Sequence, residues 1–286
     1  MQSIRNHRKA TWFSAMSVLA MLLALFAVGT EGRERIFPNG VWSSGSAPNQ
    51  GSDLPLRHAV GGASITVKSI YSDPEQTLLG YEVSGSDELG SFVTIGDARL
   101  LLPDGAVLPF AFNAQSGPGA PGTLVFPGLP QGLIQTTLEL DRLQFDKAAL
   151  GSRVQFFLKV DTREAYAQSA MWTTDQVSSE SPVHLRLTSV SRTPTLVVLR
   201  GQFAGMTTED IQSIRRIQAS LTYGDGTQTE LESARWDFGD GHADVILRFP
   251  DGKPGPASLT IALIPREDAP SNIGAFGTHR LAIELR

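Results

Sequence analysis

Near the C-terminal end of the chain, Trp236-Asp237-Phe238-Gly239-Asp240-Gly241 is the one stretch whose residue types and spacing suggest a ligand. Carboxylates set close together among glycines make a tight turn, and they can also offer oxygen ligands to a hard cation such as calcium. Asp237 and Asp240 are therefore the candidate metal ligands, for a weak calcium site, against the preferred reading of a simple hairpin turn. Other chemistry finds little support. The five histidines, His7, His58, His184, His242 and His279, are scattered with no pair at metal-ligand spacing and are expected at the surface or in loops. Asp87 and Glu88, like Glu230 and Glu232, are expected on solvated loops or strand faces. With no cysteine there is no thiolate nucleophile, disulfide or cysteine-based zinc site. No nucleophile elbow, phosphate loop or dinucleotide fingerprint occurs. The expectation is no catalytic residue, no cofactor and no enzyme.

The elements that would position these residues begin with an uncharged run at residues 12–30, WFSAMSVLAMLLALFAVGT, preceded by Arg5, His7, Arg8 and Lys9. The basic flank predicts residues 1–11 in the cytoplasm and the rest of the chain across the membrane. The run is just long enough to span a bilayer, and Ala27-Val28-Gly29 is a tolerable cleavage site, so a retained anchor and a cleaved signal peptide both remain open. Residues 31–55, rich in Gly, Ser, Pro, Asn and Gln, read as a flexible stalk, with Trp42 at a membrane or domain edge. A net charge of −5 offers no basic field for phosphates, so nucleic acid is not an expected partner. Scattered single Gly (28) and Pro (17) point to turn-rich β structure rather than low complexity.

From Ser64 onward, short strands follow one another. SITVKSIYS puts Ile65 and Val67 on one face, and Ile70 then breaks the alternation, which predicts a bulge. Pro103-Asp104-Gly105 predicts a hairpin turn, and RVQFFLKV alternates Val154, Phe156, Leu158 and Val160. About seven strands in about 100 residues predict an antiparallel immunoglobulin-like sandwich. The pattern then repeats. A shift of 120 sets Ile65 on Leu185, Val67 on Leu187, Ile70 on Val190, Pro74 on Pro194 and Val83 on Phe203. Further along, ARLLLPDG falls on ASLTYGDG and TTLELDRL on ASLTIALI, both at a shift of 121, within an offset that drifts only from 120 to about 125, as loop insertions would produce. The same alignment sets Phe110-Ala111-Phe112 on Trp236-Asp237-Phe238. The fold class is thus all-β, two tandem sandwiches at residues 56–177 and 178–286 after one N-terminal membrane helix. A polar linker is expected at residues 175–182 and a short helix is expected where Thr208 caps Glu209 and Asp210.

A short basic N-terminus, one span, a polar stalk and the strand pair ITVKSIYSDPEQTLLGYEVSG together resemble a family of bacterial single-pass membrane proteins. Their extracytoplasmic immunoglobulin-like domains have no known function, and this ectodomain type is found in anti-sigma-factor-like membrane proteins. The resemblance implies sandwiches outside the bacterial cell membrane. It covers residues 64–160 directly and the second copy through the repeat. Longer members carry a cytoplasmic zinc-binding segment. Here only 11 residues precede the apolar run, with no His-x-x-x-Cys-x-x-Cys, so sigma-factor sequestration is not carried over. WDFGDG, with Lys253-Pro254-Gly255 before SLTI, is also similar to the signature of polycystic-kidney-disease-type sandwich domains, although the His-x-Tyr step of that family is missing. The function expected is structural, or interaction with an unknown protein or cell-envelope partner. The alternatives are a sensory ectodomain acting through its membrane helix, where Ala20, Ala24 and Ala27 line one face, or a secreted binding protein.

Overall fold

Period-two alternation, cut by Pro, Gly and Asp turns, produces sheets with one buried and one wet face. The computed structural model describes residues 49–286 apart from 61–62, 86–92, 116–120, 146–147, 150–152, 181–182, 240–241, 251–252 and 268–275. The first half holds β1 (Leu56–Val60), β2 (Ala63–Ser72), β3 (Thr77–Gly85), β4 (Val93–Leu101), β5 (Val107–Pro109), β6 (Phe112–Gln115), β7 (Gly122–Phe126), β8 (Leu133–Phe145), β9 (Ala148–Ala149) and β10 (Val154–Asp161). A five-residue helix, α1 (Arg163–Ala167), follows. The second half holds β11 (Ala170–Glu180), β12 (Val183–Arg192), β13 (Leu196–Ala204), α2 (Thr208–Ser213), β14 (Ile214–Tyr223), β15 (Gln228–Glu230), β16 (Ser233–Gly239), β17 (His242–Pro250), β18 (Gly255–Pro265) and β19 (Thr278–Leu285).

These strands form four antiparallel sheets, β1-β2-β3-β7-β6 with β10-β8-β4-β5, and β11-β12-β13-β17-β16 with β15-β14-β18-β19. Lettering β2, β3, β4, β6, β7, β8 and β10 as A to G gives A-B-E-D against G-F-C with β5 as C′, the immunoglobulin strand order. The second half repeats it strand for strand. One core gathers Ile65, Leu79, Leu100, Phe126, Leu138 and Phe156 between the first two sheets. The other gathers Leu185, Leu199, Phe203, Leu221, Phe249 and Leu259 between the second two.

The register of the duplication is the same in space as in sequence. Ile65 pairs with Val83 as Leu185 pairs with Phe203, and the β2–β3 register slips between Val67 and Ser69 just as β12–β13 slips between Leu187 and Ser189. The broken alternation at Ile70 is therefore a bulge, made twice. Likewise Leu100 pairs with Leu138 as Leu221 pairs with Leu259. The C–C′ turns match too. Gly105 and Gly226 sit at φ 86° and 82°, where a Cβ would be strained, after Asp104 and Asp225. Each of those aspartates accepts a hydrogen bond from the backbone N–H two residues on, Ala106 and Thr227 respectively.

Several expectations change. Residues 175–180, expected in a linker, belong to β11, which pairs with β12 from Ala170↔Arg192 to Glu180↔Val183, so the second sheet system starts before residue 178. At the end of the expected stalk, Gln50 donates to the Ile70 carbonyl and Gly51 bridges to Val160, so residues 49–52 are built into the first sandwich. The α2 cap is Thr207 rather than Thr208: the Asp210 amide donates to Thr207 Oγ1, and Thr207 N–H donates to Asp210 Oδ2. No helix among the described residues is long and apolar enough to cross a membrane, and the run at 12–30 lies outside them.

Candidate functional site

Among the described residues, those singled out for chemistry do not converge. Asp237 is 77% exposed on β16 beside Arg235, 3.7 Å away, and Asp240 lies outside the described residues. So do His7, Trp42, Asp87 and Glu88. Among the described residues no three His, Asp or Glu side chains are grouped as a metal site. Glu230 is exposed at the end of β15, and Glu232 lies in the bend between β15 and β16. Trp236 to Gly239 of the WDFGDG stretch lie on β16, which ends at Gly239, paired with His242 of β17. The expected match of Phe110-Ala111-Phe112 to Trp236-Asp237-Phe238 is five residues out of register. Phe110 and Leu231 donate to the equivalent carbonyls of Ala98 and Ala219, and Phe112 pairs with Val125 as Ser233 pairs with Arg248.

His279 is a second correction. It occupies the position of Val154 in the first copy and is fully buried, edge-on to Phe203 with ring centroids 5.8 Å apart. Its Nδ1 lies 3.2 Å from the Ser178 carbonyl. His58 and His184 are exposed and His242 is half-buried.

The buried polar groups that do converge lie where the two sandwiches meet. The β2–β3 turn, Asp73-Pro74-Glu75-Gln76, is almost wholly buried. Asp73 Oδ1 accepts from the amides of Glu75 and Gln76 at 2.9 and 3.0 Å, the local geometry of an Asx turn. Its Oδ2 accepts from Thr195 Oγ1 at 2.6 Å, across the junction. Gln76 Nε2 donates to the same hydroxyl, and Arg200 donates to Glu75 Oε2 at 2.6 Å. Arg200 alternates on β13 with Leu196 and Val198, both fully buried yet pointing away from the core side of Val197 and Leu199. On the other side Tyr71, Leu78 and Val125 turn away from their own core and pack with Ala165 of α1.

A hydrogen-bonded chain backs this turn. Leu129 N–H donates to Ser72 Oγ, Ser72 to Thr77 Oγ1, and Thr77 to the Pro127 carbonyl. A Cβ on Gly128 would lie 2.3 Å from the Asp73 carbonyl, so the loop must pass the turn without a side chain. Two tyrosines flank Asp73. Burial, and then its negative charge, push the pKa of Tyr71 far above the usual phenol range and raise that of Tyr166 in the same order of causes. Three of these contacts, Asp73 with Thr195, Gln76 with Thr195 and Glu75 with Arg200, tie the two sandwiches together, and the others hold the turn itself; both sandwiches lie within one compact unit.

One surface differs between the copies. Across the outer face of the β10-β8-β4-β5 sheet, Phe157, Thr137, Leu101 and Val107 stand directly side by side, with Phe157 74% and Val107 51% exposed. The equivalent row of the second copy is Ala282, Ser258, Thr222 and Gln228. Next to the apolar row, Glu139 accepts from Arg99 and Gln155 and is 3% exposed. Those bonds hold its pKa below the usual carboxylate range, Gln155 first and Arg99 next.

Fold and junction together define an all-β protein of two immunoglobulin-like sandwiches. The crystal structure of a conserved domain protein from Bacillus anthracis aligns with a TM-score of 0.60 at 11% identity, over 82% of this chain and 92% of that one, a likeness of fold alone. A marsupial T cell receptor (TM-score 0.24, 12% identity, 81% of this chain and 65% of that) overlaps too loosely to carry argument. The same holds for a DUF4785 family protein from Legionella pneumophila (0.26, 9%, 79% and 58%). No protein family and no curated protein matches the chain.

Proposed function

We propose that the chain is a membrane-anchored, extracytoplasmic pair of sandwiches that serves a bacterial envelope as a non-catalytic interaction module. The observation that carries the interaction role is the Phe157-Thr137-Leu101-Val107 row. The duplication preserves the core positions around it, while the two exposed positions carry the large apolar Phe157 and Val107 in one copy and the small Ala282 and polar Gln228 in the other. An apolar row kept in water on one copy only has a use other than folding. The junction around Asp73 would fix that row relative to the second sandwich. The anchor rests on residues 12–30 and their basic flank, together with the resemblance to single-pass envelope proteins.

The test is fractionation of tagged full-length protein from a bacterial host, with intact mass and protease access to the C-terminus, combined with photo-crosslinking from position 157. Membrane retention with an external C-terminus, and adducts lost on Val107→Ser, support the proposal. A soluble product trimmed near Thr30 removes the anchor, and adducts unchanged by Val107→Ser remove the binding face.

A further inference from the structure

A strand at the end of a sheet leaves a row of backbone donors and acceptors that another strand can join. Most ends in this protein are short or obstructed. β5 and β15 have three residues each, and the far end of β10 is closed where Ser52 donates to Lys159 and Asp161 donates to Gln50. β11 lies against β19. β16 differs: it pairs with β17 along all seven residues, from Ser233↔Arg248 to Gly239↔His242, and pairs with no other strand among the described residues. Its counterpart β6 runs only four residues.

We infer that β16 is the contact between two copies of this chain, joined antiparallel edge to edge about a two-fold axis at Trp236. The sequence of the strand is Ser-Ala-Arg-Trp-Asp-Phe-Gly. About that axis Arg235 of each copy stands directly opposite Asp237 of the other, so one axis creates two opposite-charge cross-strand pairs. Moving the register by two residues in either direction sets Arg235 against Arg235 or Asp237 against Asp237, so the charges select one register. Inside a single chain these two side chains are 3.7 Å apart and each 77% exposed, a contact worth little and readily exchanged. A second copy sets each of these charges directly opposite one of opposite sign. The pairing would extend the β11-β12-β13-β17-β16 sheet from five strands to ten across the contact.

The test is the mass of the full-length protein in detergent by sedimentation equilibrium, with matched variants. The wild type is expected as a reversible dimer. Arg235→Asp, which turns both pairs repulsive, raises the dissociation constant roughly tenfold or more. The doubly swapped R235D/D237R variant, whose charges match again, restores it. A second readout does not depend on those variants folding well. Because the chain has no cysteine, mixing Arg235→Cys chains with Asp237→Cys chains should give a covalent dimer on mild oxidation that neither forms alone. A wild type that stays monomeric, a dimer indifferent to Arg235→Asp, or a mixture that crosslinks no better than its components overturns the inference.

Discussion

Asp73 serves two masters, and a pair of substitutions separates them. Replacing it with alanine removes three accepted hydrogen bonds, two from the buried amides of Glu75 and Gln76 and one from Thr195. The two orphaned amides cost about 1.5 kcal/mol each and the Thr195 hydroxyl a further 1 or so, partly offset by no longer burying a charge. A net loss of about 3 kcal/mol follows. The second copy supplies a control, because Thr193 occupies the same place in the β12–β13 turn. Its Oγ1 accepts from the amides of Thr195 and Leu196 at 3.3 and 3.0 Å. Asp73→Thr should therefore keep the turn and lose only the contact across the junction, costing about 1 kcal/mol. Urea unfolding followed by tryptophan fluorescence reads both values. If Asp73→Ala falls within 0.5 kcal/mol of wild type, or Asp73→Thr is as damaging as Asp73→Ala, the assignment of roles is wrong.

Gly128→Ala forces a methyl group into the Asp73 and Pro74 carbonyls and should cost about 1 to 3 kcal/mol, read in the same unfolding assay. Leu79→Ala and Leu199→Ala empty equivalent, fully buried core positions, so each should cost about 2.5 to 5 kcal/mol and the two should agree within about 1. Asp161 is lowered to about 2 by hydrogen bonds from the Arg163 side chain and then its backbone amide. Its folded value lies below the ordinary one. Its contribution to stability is therefore complete above about pH 4 and is lost as the pH falls through about 2. Carboxyl-carbon NMR should show that midpoint, and Arg163→Ala should return it toward the ordinary aspartate value of about 3.9.

Where a feature depends on neighbours in sequence, it was legible in the sequence. The bulge at Ile70 and Val190, the Asp-Gly turns before Ala106 and Thr227, and the inward set Val154, Phe156, Leu158 and Val160 are all local patterns with one physical solution. What was missed depends on partners far away. β11 is an edge strand whose exposed and half-buried residues alternate, and its Ser, Thr and Gln content is that of a linker. Asp73 announced a turn, but nothing within twenty residues of Glu75 reveals that its carboxylate meets Arg200, 125 positions away. His279 looked solvated because histidine usually is, and only its register opposite Ile261 places it in a core. Phe110-Ala111-Phe112 and Trp236-Asp237-Phe238 share aromatic side chains but not strand register, and only the pairing with β7 and β17 tells the two apart.

Two copies with the same registers in one chain pose a hazard while the chain is still unfolded, since β2 could pair with β13 as readily as with β3. The four-residue turn between Ser72 and Thr77 answers it. Closing that turn fixes a short loop, whereas reaching β13 from β2 encloses more than 120 residues. The difference in closure entropy is about 3 kcal/mol, more than a hundredfold in favour of the local partner. Lengthening this turn would erode that advantage, and the first symptom would be chains that exchange strands between copies during refolding.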